Sequence, residues 1–229
     1  YTSRVQKENT DQVVTSVKPN DILPGGSRAI LTLADGRKIE LDESENAVLV
    51  NQGSIKVHKN SDGIIEYTFI KQERKDIAVS DKAEPVYNTI ETPVGGKYQL
   101  NLADGTKVWL NSSSSLRFPI FFSDDNREVE LKGEAYFEVS KDFKRKFSVR
   151  SGIQTVEVLG TQFNINAYSD EKSIKTTLFE GEIRVIDLKT NDSKLLKPGE
   201  QSNVDQSIQI KRIDTQAEIA WKEGYFYFK

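Results

Sequence analysis

The sequence predicts an all-β fold: many short strands joined by tight turns, in a solenoid-like or stacked-hairpin architecture. Three observations predict it. Apolar residues recur with a period of two, the alternation of a strand buried on one face. Turn signals punctuate the chain every few residues. One strand-turn-strand unit occurs twice, as repetition of a stacked element requires.

The elements follow in order. Residues 1–20 are polar, rich in Lys, Asp, Ser, Thr and Asn, and read as a linker. Ordered pattern begins near Ile22. The repeated unit is Leu31-Thr-Leu-Ala-Asp-Gly-Arg-Lys-Ile-Glu-Leu41, matched by Leu100-Asn-Leu-Ala-Asp-Gly-Thr-Lys-Val-Trp-Leu110, and each copy follows a Gly-Gly pair. Asp-Gly between apolar alternating runs is a hairpin signal, because glycine accepts positive φ. Further turns are expected at Pro24-Gly25-Gly26, Asn51-Gln52-Gly53, Asp62-Gly63, Pro198-Gly199 and Asn203. In residues 127–140, Val129, Leu131, Ala135, Phe137 and Val139 alternate with Glu128, Glu130, Lys132, Glu134 and Glu138. Gly133 interrupts this run, marking a bulge, a bend or a break into two strands. Phe163, Ile165 and Ala167 alternate with Gln162, Asn164 and Asn166. Residues 214–223 carry a helical pattern, with Thr215 and Glu218 spaced as a capping box. The aromatic run from Gly224 to Phe228 then reads as a strand that opens a further, truncated α+β domain.

Composition narrows the function. Of 229 residues, 36% are hydrophobic, enough for one substantial core or two small ones. The formal net charge is -3, with no basic excess to attract phosphate backbones or anionic lipid. There is no cysteine, so no disulfide framework, thiolate metal site or cysteine nucleophile is available. The single histidine, His58, sits in a strand-like stretch, which excludes a multi-histidine metal site and argues against a Ser-His-Asp triad. No run approaches the roughly 20 apolar residues of a membrane span. The chain contains no methionine and opens at Tyr1, so it is expected to be a fragment whose targeting or anchoring segment lies outside it.

Few residues suggest chemistry. The acidic pairs Glu128 with Glu130 and Glu134 with Glu138 have the composition of a glycosidase dyad. Their alternation with core positions places them on a solvated face. Asp124-Asp125-Asn126 reads as a turn, residues 141–146 as a basic strand connection, and residues 112–115 as a polar turn. Trp109, Phe118, Phe121 and Phe122 form either a core cluster or a sugar-stacking platform. The sharpest candidate is Gly160-Thr161, between two strand-like stretches. A hydroxyl one residue after a carbonyl can attack it when the backbone is strained, turning an amide into an ester that water cleaves. The plainer reading is a bulge joining two strands. No catalytic residue, cofactor or metal is assigned.

Several motifs, taken together, resemble one family. Thr92-Pro-Val-Gly-Gly-Lys-Tyr-Gln-Leu-Asn-Leu-Ala-Asp-Gly-Thr-Lys-Val-Trp-Leu-Asn111 is similar to the opening of the FecR domain. Ser113-Ser-Ser-Leu-Arg-Phe-Pro119, Arg127-Glu-Val-Glu-Leu-Lys-Gly-Glu-Ala-Tyr-Phe-Glu-Val139 and Val156-Glu-Val-Leu-Gly-Thr-Gln-Phe-Asn-Ile-Asn-Ala-Tyr168 follow. Lys175-Thr-Thr-Leu-Phe-Glu-Gly181 and Leu196-Lys-Pro-Gly-Glu-Gln201 complete the series, in the family's order over about half the chain. Residues 22–36 resemble the N-terminal extension of the Bacteroidetes-type branch. Trp221-Lys-Glu-Gly-Tyr-Phe-Tyr-Phe228 resembles the junction before the family's secretin/TonB short domain.

The resemblance implies a FecR-type anti-sigma factor, seen here as its periplasmic region. It divides the chain into a linker (1–20), an N-terminal β extension (21–88), a FecR domain (89–213) and the start of the short domain (214–229). Implied partners are the periplasmic signalling domain of a TonB-dependent outer-membrane receptor and, through an absent cytoplasmic segment, an extracytoplasmic-function sigma factor. The implied location is the periplasmic side of an inner-membrane single-pass protein, a relay and not an enzyme. It also implies processing at Gly160-Thr161, in some relatives by self-cleavage. A glycan-binding β module is the alternative, and it predicts exposed coplanar aromatics in a groove.

Overall fold

The computed structural model describes residues 26–41, 48–52, 55–60, 62–69 and 85–224. The linker, the turn at Gly25 and Gly53, and the aromatic run after Gly224 lie outside the described residues. The described chain is built almost wholly of strands: β1 (Gly26–Ser27), β2 (Ala29–Thr32), β3 (Lys38–Leu41), β4 (Val48–Gln52), β5 (Ile55–Lys59), β6 (Ile65–Phe69), β7 (Tyr87–Glu91), β8 (Gly96–Asn101), β9 (Lys107–Leu110), β10 (Ser115–Pro119), β11 (Arg127–Glu138), β12 (Phe147–Ser151), β13 (Gln154–Val158), β14 (Gln162–Ala167), β15 (Ile174–Glu180), β16 (Ile183–Asp187), β17 (Ser193–Leu196), β18 (Glu200–Val204) and β19 (Ile208–Arg212). One helix, α1 (Gln216–Glu223), follows. The fold is all-β, as its alternation predicts.

The strands form two sheets that share β11. The front sheet runs β3, β2, β7, β10, β11, β12, β13, β16, β17. The back sheet runs β4, β5, β6, β8, β9, β11, β14, β15, β18, β19, and β1 pairs in parallel with β8. From β12 onward successive hairpins fall alternately on the two sheets (β12-β13 front, β14-β15 back, β16-β17 front, β18-β19 back), which is the stacked-hairpin arrangement.

Register explains the core. Leu31, Ile90, Leu116 and Leu131 lie opposite one another across the front sheet. Val129, Val149, Val156 and Val185 form the next row. In the back sheet, Val108, Phe137, Phe163 and Leu178 do the same. All twelve are buried in a single cluster. Rings join the sheets: Tyr67 of β6 meets Phe118 of β10 edge to face at 5.3 Å, and Phe137 lies 6.3 Å from Phe147 of β12. Burial of these rows at about 25 cal/mol per Å² of apolar surface is the main stabilising term.

Gly133 is where β11 changes sheets. Before it, Lys132 pairs with Ser115 in the front sheet; from it onward, Gly133 pairs with Ala167 in the back sheet. The run is thus one bent strand, with Gly133 at φ +81°. The repeated units are both hairpins, β2 to β3 and β8 to β9, on opposite sheets. The same pair of bonds closes each: Leu33 N–H to the Arg37 carbonyl and Gly36 N–H to Leu33, against Leu102 to Thr106 and Gly105 to Leu102.

Three local expectations change. Asn203 lies inside β18, and the turn falls at residues 205–207 instead, where Asp205 accepts bonds from the backbone. The capping box does not close: Thr215 makes no side-chain cap, and the Asp214 carboxylate accepts from Gln216 N–H at 3.1 Å. Glu134 is not solvated. It is 7% exposed and accepts from the amides of Asn111 (2.7 Å) and Asn164 (2.9 Å), while burial pushes its carboxyl above the usual range.

Candidate functional site

Gly160 and Thr161 form the crossover by which the chain leaves β13 in the front sheet and enters β14 in the back sheet. The crossover is held on two sides. Asp142 N–H donates to the Leu159 carbonyl at 2.8 Å, and Val139 N–H donates to the Thr161 carbonyl at 3.0 Å. A Cβ on Gly160 would lie 2.8 Å from the Lys141 backbone, so only glycine lets these segments meet. On the other side, Gly181 at φ +94° begins the return crossover from β15 to β16. A Cβ there would sit 2.8 Å from the Thr161 hydroxyl and 3.2 Å from the Gly160 carbonyl.

Thr161 is buried, and its hydroxyl donates to the Glu182 carbonyl at 3.1 Å. That bond ties the outgoing crossover to the return one. A cavity of about 120 Å³ adjoins the pair, lined by Lys107, Glu138, Lys141, Gln162 and Glu180 among others. Four of its residues are a single cross-strand row on the outer face of the back sheet: Lys107, Glu138, Gln162 and Glu180. The cleft can supply carboxylates near the Gly160-Thr161 bond. The hydroxyl's acceptor, however, is a backbone carbonyl, which cannot take its proton.

The other candidates disperse. His58 belongs to β5 and places Nε2 3.3 Å from Glu66. Glu128 and Glu130 are exposed, and Glu130 pairs with Arg117 at 3.2 Å. Phe118 is core, and Phe121 and Phe122 pack against it. Trp109 lies instead on the outer face of the back sheet, meeting Tyr136 edge to face at 5.7 Å; Tyr136 meets Phe179 at 5.5 Å. These rings are not coplanar, and Lys222 of α1 lies over two of them, 4.5 Å from Trp109 and 4.7 Å from Tyr136. Burial first, then the carboxylates of Glu138, Glu180 and Glu223, push the Tyr136 phenol up to about 12. Among the described residues there is no group of three or more His, Cys, Asp or Glu arranged to hold a metal, and no helix long and apolar enough to cross a membrane.

Sequence reasoning missed a buried ion pair. Arg127 at the start of β11 is fully buried and contacts Asp104 at 2.9 Å. It also donates to the carbonyls of Ser140 (3.0 Å) and Arg145 (2.9 Å). Asp104 accepts from Thr106 as well, at 2.8 Å. This one guanidinium therefore joins the turn of the β8-β9 hairpin to the connection that precedes β12. The available signal was the difference between the two repeat copies: Asp35 pairs with Arg37 on the surface, whereas Asp104 is followed by Thr106 and left to find a distant partner.

Residues 88–184 match the family described as FecR protein. Two solved structures assigned as an anti-sigma factor from Parabacteroides distasonis ATCC 8503 share the architecture. One, at 2.50 Å resolution, is 35% identical and covers 62% of this chain and 68% of its own, with a TM-score of 0.59. The other, at 1.65 Å, is 35% identical and covers 62% and 67%, with a TM-score of 0.58. No curated protein matches the chain.

Proposed function

This chain belongs to the FecR family of anti-sigma factors, and from that premise we propose that it is the periplasmic relay of a transmembrane signalling system. The observation that carries the reading is the 35% identity to an anti-sigma factor across two thirds of that protein's length. The input is the signalling domain of a TonB-dependent receptor. The output is control of an extracytoplasmic-function sigma factor, met through a cytoplasmic segment. Residues 89–213 act as the FecR domain in this reading, with 21–88 as its extension and 214–229 leading to the short domain.

The sheets suit a receiver. Among the described residues, β17 and β19 each pair on one side only. The two edges lie close together, since the Lys194 ammonium donates to the Ile208 carbonyl. Leu195 and Ile210 are exposed there. Strand edges beside apolar side chains are what an added partner strand pairs with. In cells carrying the full protein and a reporter for its sigma factor, a Leu195→Asp, Ile210→Asp variant should lose the response to receptor stimulation while keeping its expression level. An unchanged response would remove these edges from the relay.

The same reading assigns processing to the Gly160-Thr161 bond. The Thr161 oxygen would bond to the Gly160 carbonyl carbon as the C–N bond breaks, freeing the Thr161 amine; water would then hydrolyse the ester. In the folded chain the hydroxyl is held by Glu182, so the reaction requires that bond to open. Intact-mass measurement after prolonged incubation of the full periplasmic region should show a cut at this bond. Thr161→Val should abolish the cut and lower stability by about 1 kcal/mol, the net worth of one hydrogen bond. An uncut wild-type chain, with the same loss of stability in the variant, leaves the pair as a structural crossover alone.

A further inference from the structure

α1 sits on the outer face of the back sheet, with Ala217, Ile219 and Trp221 only half-buried. Ala220 is its one buried residue. An open groove of about 240 Å³ borders the helix, lined by Gly26, Ser27, Lys97, Trp109 and Trp221 among others. The Trp221 indole N–H is buried there without a hydrogen-bond partner. A buried unpaired donor opposes docking.

Polar contacts at its C-terminal turn offset this. The Lys222 ammonium lies over both Trp109 and Tyr136 and 4.0 Å from the Glu138 carboxylate. Lys97 of β8 donates to the Trp221 carbonyl at 2.9 Å, which places a cation at the negative end of the helix. Trp109, Tyr136 and Glu138 come from β9 and β11, whose register fixes them: Trp109 lies opposite Tyr136, and Glu138 is two residues further along the same face. Two ring faces and one carboxylate around an ammonium are the components of a cation-binding cage.

We propose that Trp109, Tyr136 and Glu138 form an ammonium-binding cage whose occupant here is the chain's own Lys222, so that α1 is a releasable latch. The site's ligand class is the primary ammonium of a lysine side chain. Seating it holds α1 on the sheet; withdrawing it frees α1 and uncovers the aromatic face beneath. This holds whichever partner the protein serves.

Hydrogen exchange resolved to the α1 amides tests it in the chain as it stands. Lys222→Met keeps the aliphatic stem and loses the charge. It should speed exchange in residues 218–223 by about five-fold or more, the range expected for a partly desolvated cation over aromatic rings. Lys222→Arg should stay within about two-fold of the wild type, since a guanidinium also binds ring faces. Raising the salt concentration should accelerate α1 more in the wild type than in Lys222→Met, which keeps only the Lys97 contact. Strand β11 should be unaffected throughout. Equal exchange in the wild type and Lys222→Met would overturn the proposal, because packing would then hold the helix. So would an arginine variant as fast as the methionine one, or acceleration of β11 along with α1.

Discussion

Replacing Arg127 by methionine is expected to lower stability by about 3–5 kcal/mol, the cost of leaving a buried charge without its partner. Arg127 has no exposed side-chain surface and Asp104 has 6%, so water cannot substitute for the lost guanidinium. The Arg127→Met change would leave the Asp104 carboxylate with Thr106 and the backbone, and would strip donors from the Ser140 and Arg145 carbonyls. In a chain of this size the melting temperature should fall by about 10 °C. The exposed pair of Arg117 and Glu130 is the control: their side chains are 42% and 49% exposed, so Arg117→Met should cost less than about 1 kcal/mol in ion pairing. Adding Asp104→Asn to Arg127→Met should cost less than the sum of the two single changes, because both remove one interaction. A urea midpoint for Arg127→Met no lower than that of Arg117→Met would show that the network does not join the hairpin to the sandwich.

The second large effect is at Gly133. A Cβ there would lie 2.4 Å from the Ser114 hydroxyl and 2.8 Å from the Ser114 backbone, and φ is +81°. The Ser114 hydroxyl accepts from Glu134 N–H at 2.8 Å, so it cannot swing away without orphaning a buried donor. Backbone strain and overpacking together should make Gly133→Val cost about 3–5 kcal/mol. Gly36→Ala separates the two causes. Its φ is +84°, but nothing lies within 4 Å of the added carbon, so it should lose only about 1–2 kcal/mol from strain. Similar losses at both positions, read from urea unfolding, would mean that the close approach to Ser114 is not what makes Gly133 obligatory.

What the sequence discloses of this fold is its local period. Alternation along residues 127–139 and 162–167 is set by each strand's own two faces, and the Asp-Gly hairpins by φ preference, so both were legible. Which sheet a hairpin joins was not, because residues distant in sequence decide it. The two copies of the repeat have nearly the same turn and lie on opposite sheets. The buried polar groups were misread for the same reason. Glu134 alternates with core residues like Glu128 and Glu130, but the 111–114 turn and Asn164 enclose it, a fact of tertiary contact. Arg127 occupies a core position in the alternation, and only the arrival of Asp104 from another hairpin makes a charge tolerable there. Gly160-Thr161 was legible as a special place. Its geometry was not, since the residues that clamp it, Lys141 and Gly181, flank it in space and not in sequence.

The most direct test of the relay is a calorimetric titration of the full periplasmic region with the signalling domain of its candidate TonB-dependent receptor, alongside the Leu195→Asp, Ile210→Asp variant. The account predicts saturable one-to-one binding that the variant weakens at least ten-fold while its melting temperature is kept. Absence of heat and of binding with the wild-type protein would contradict it.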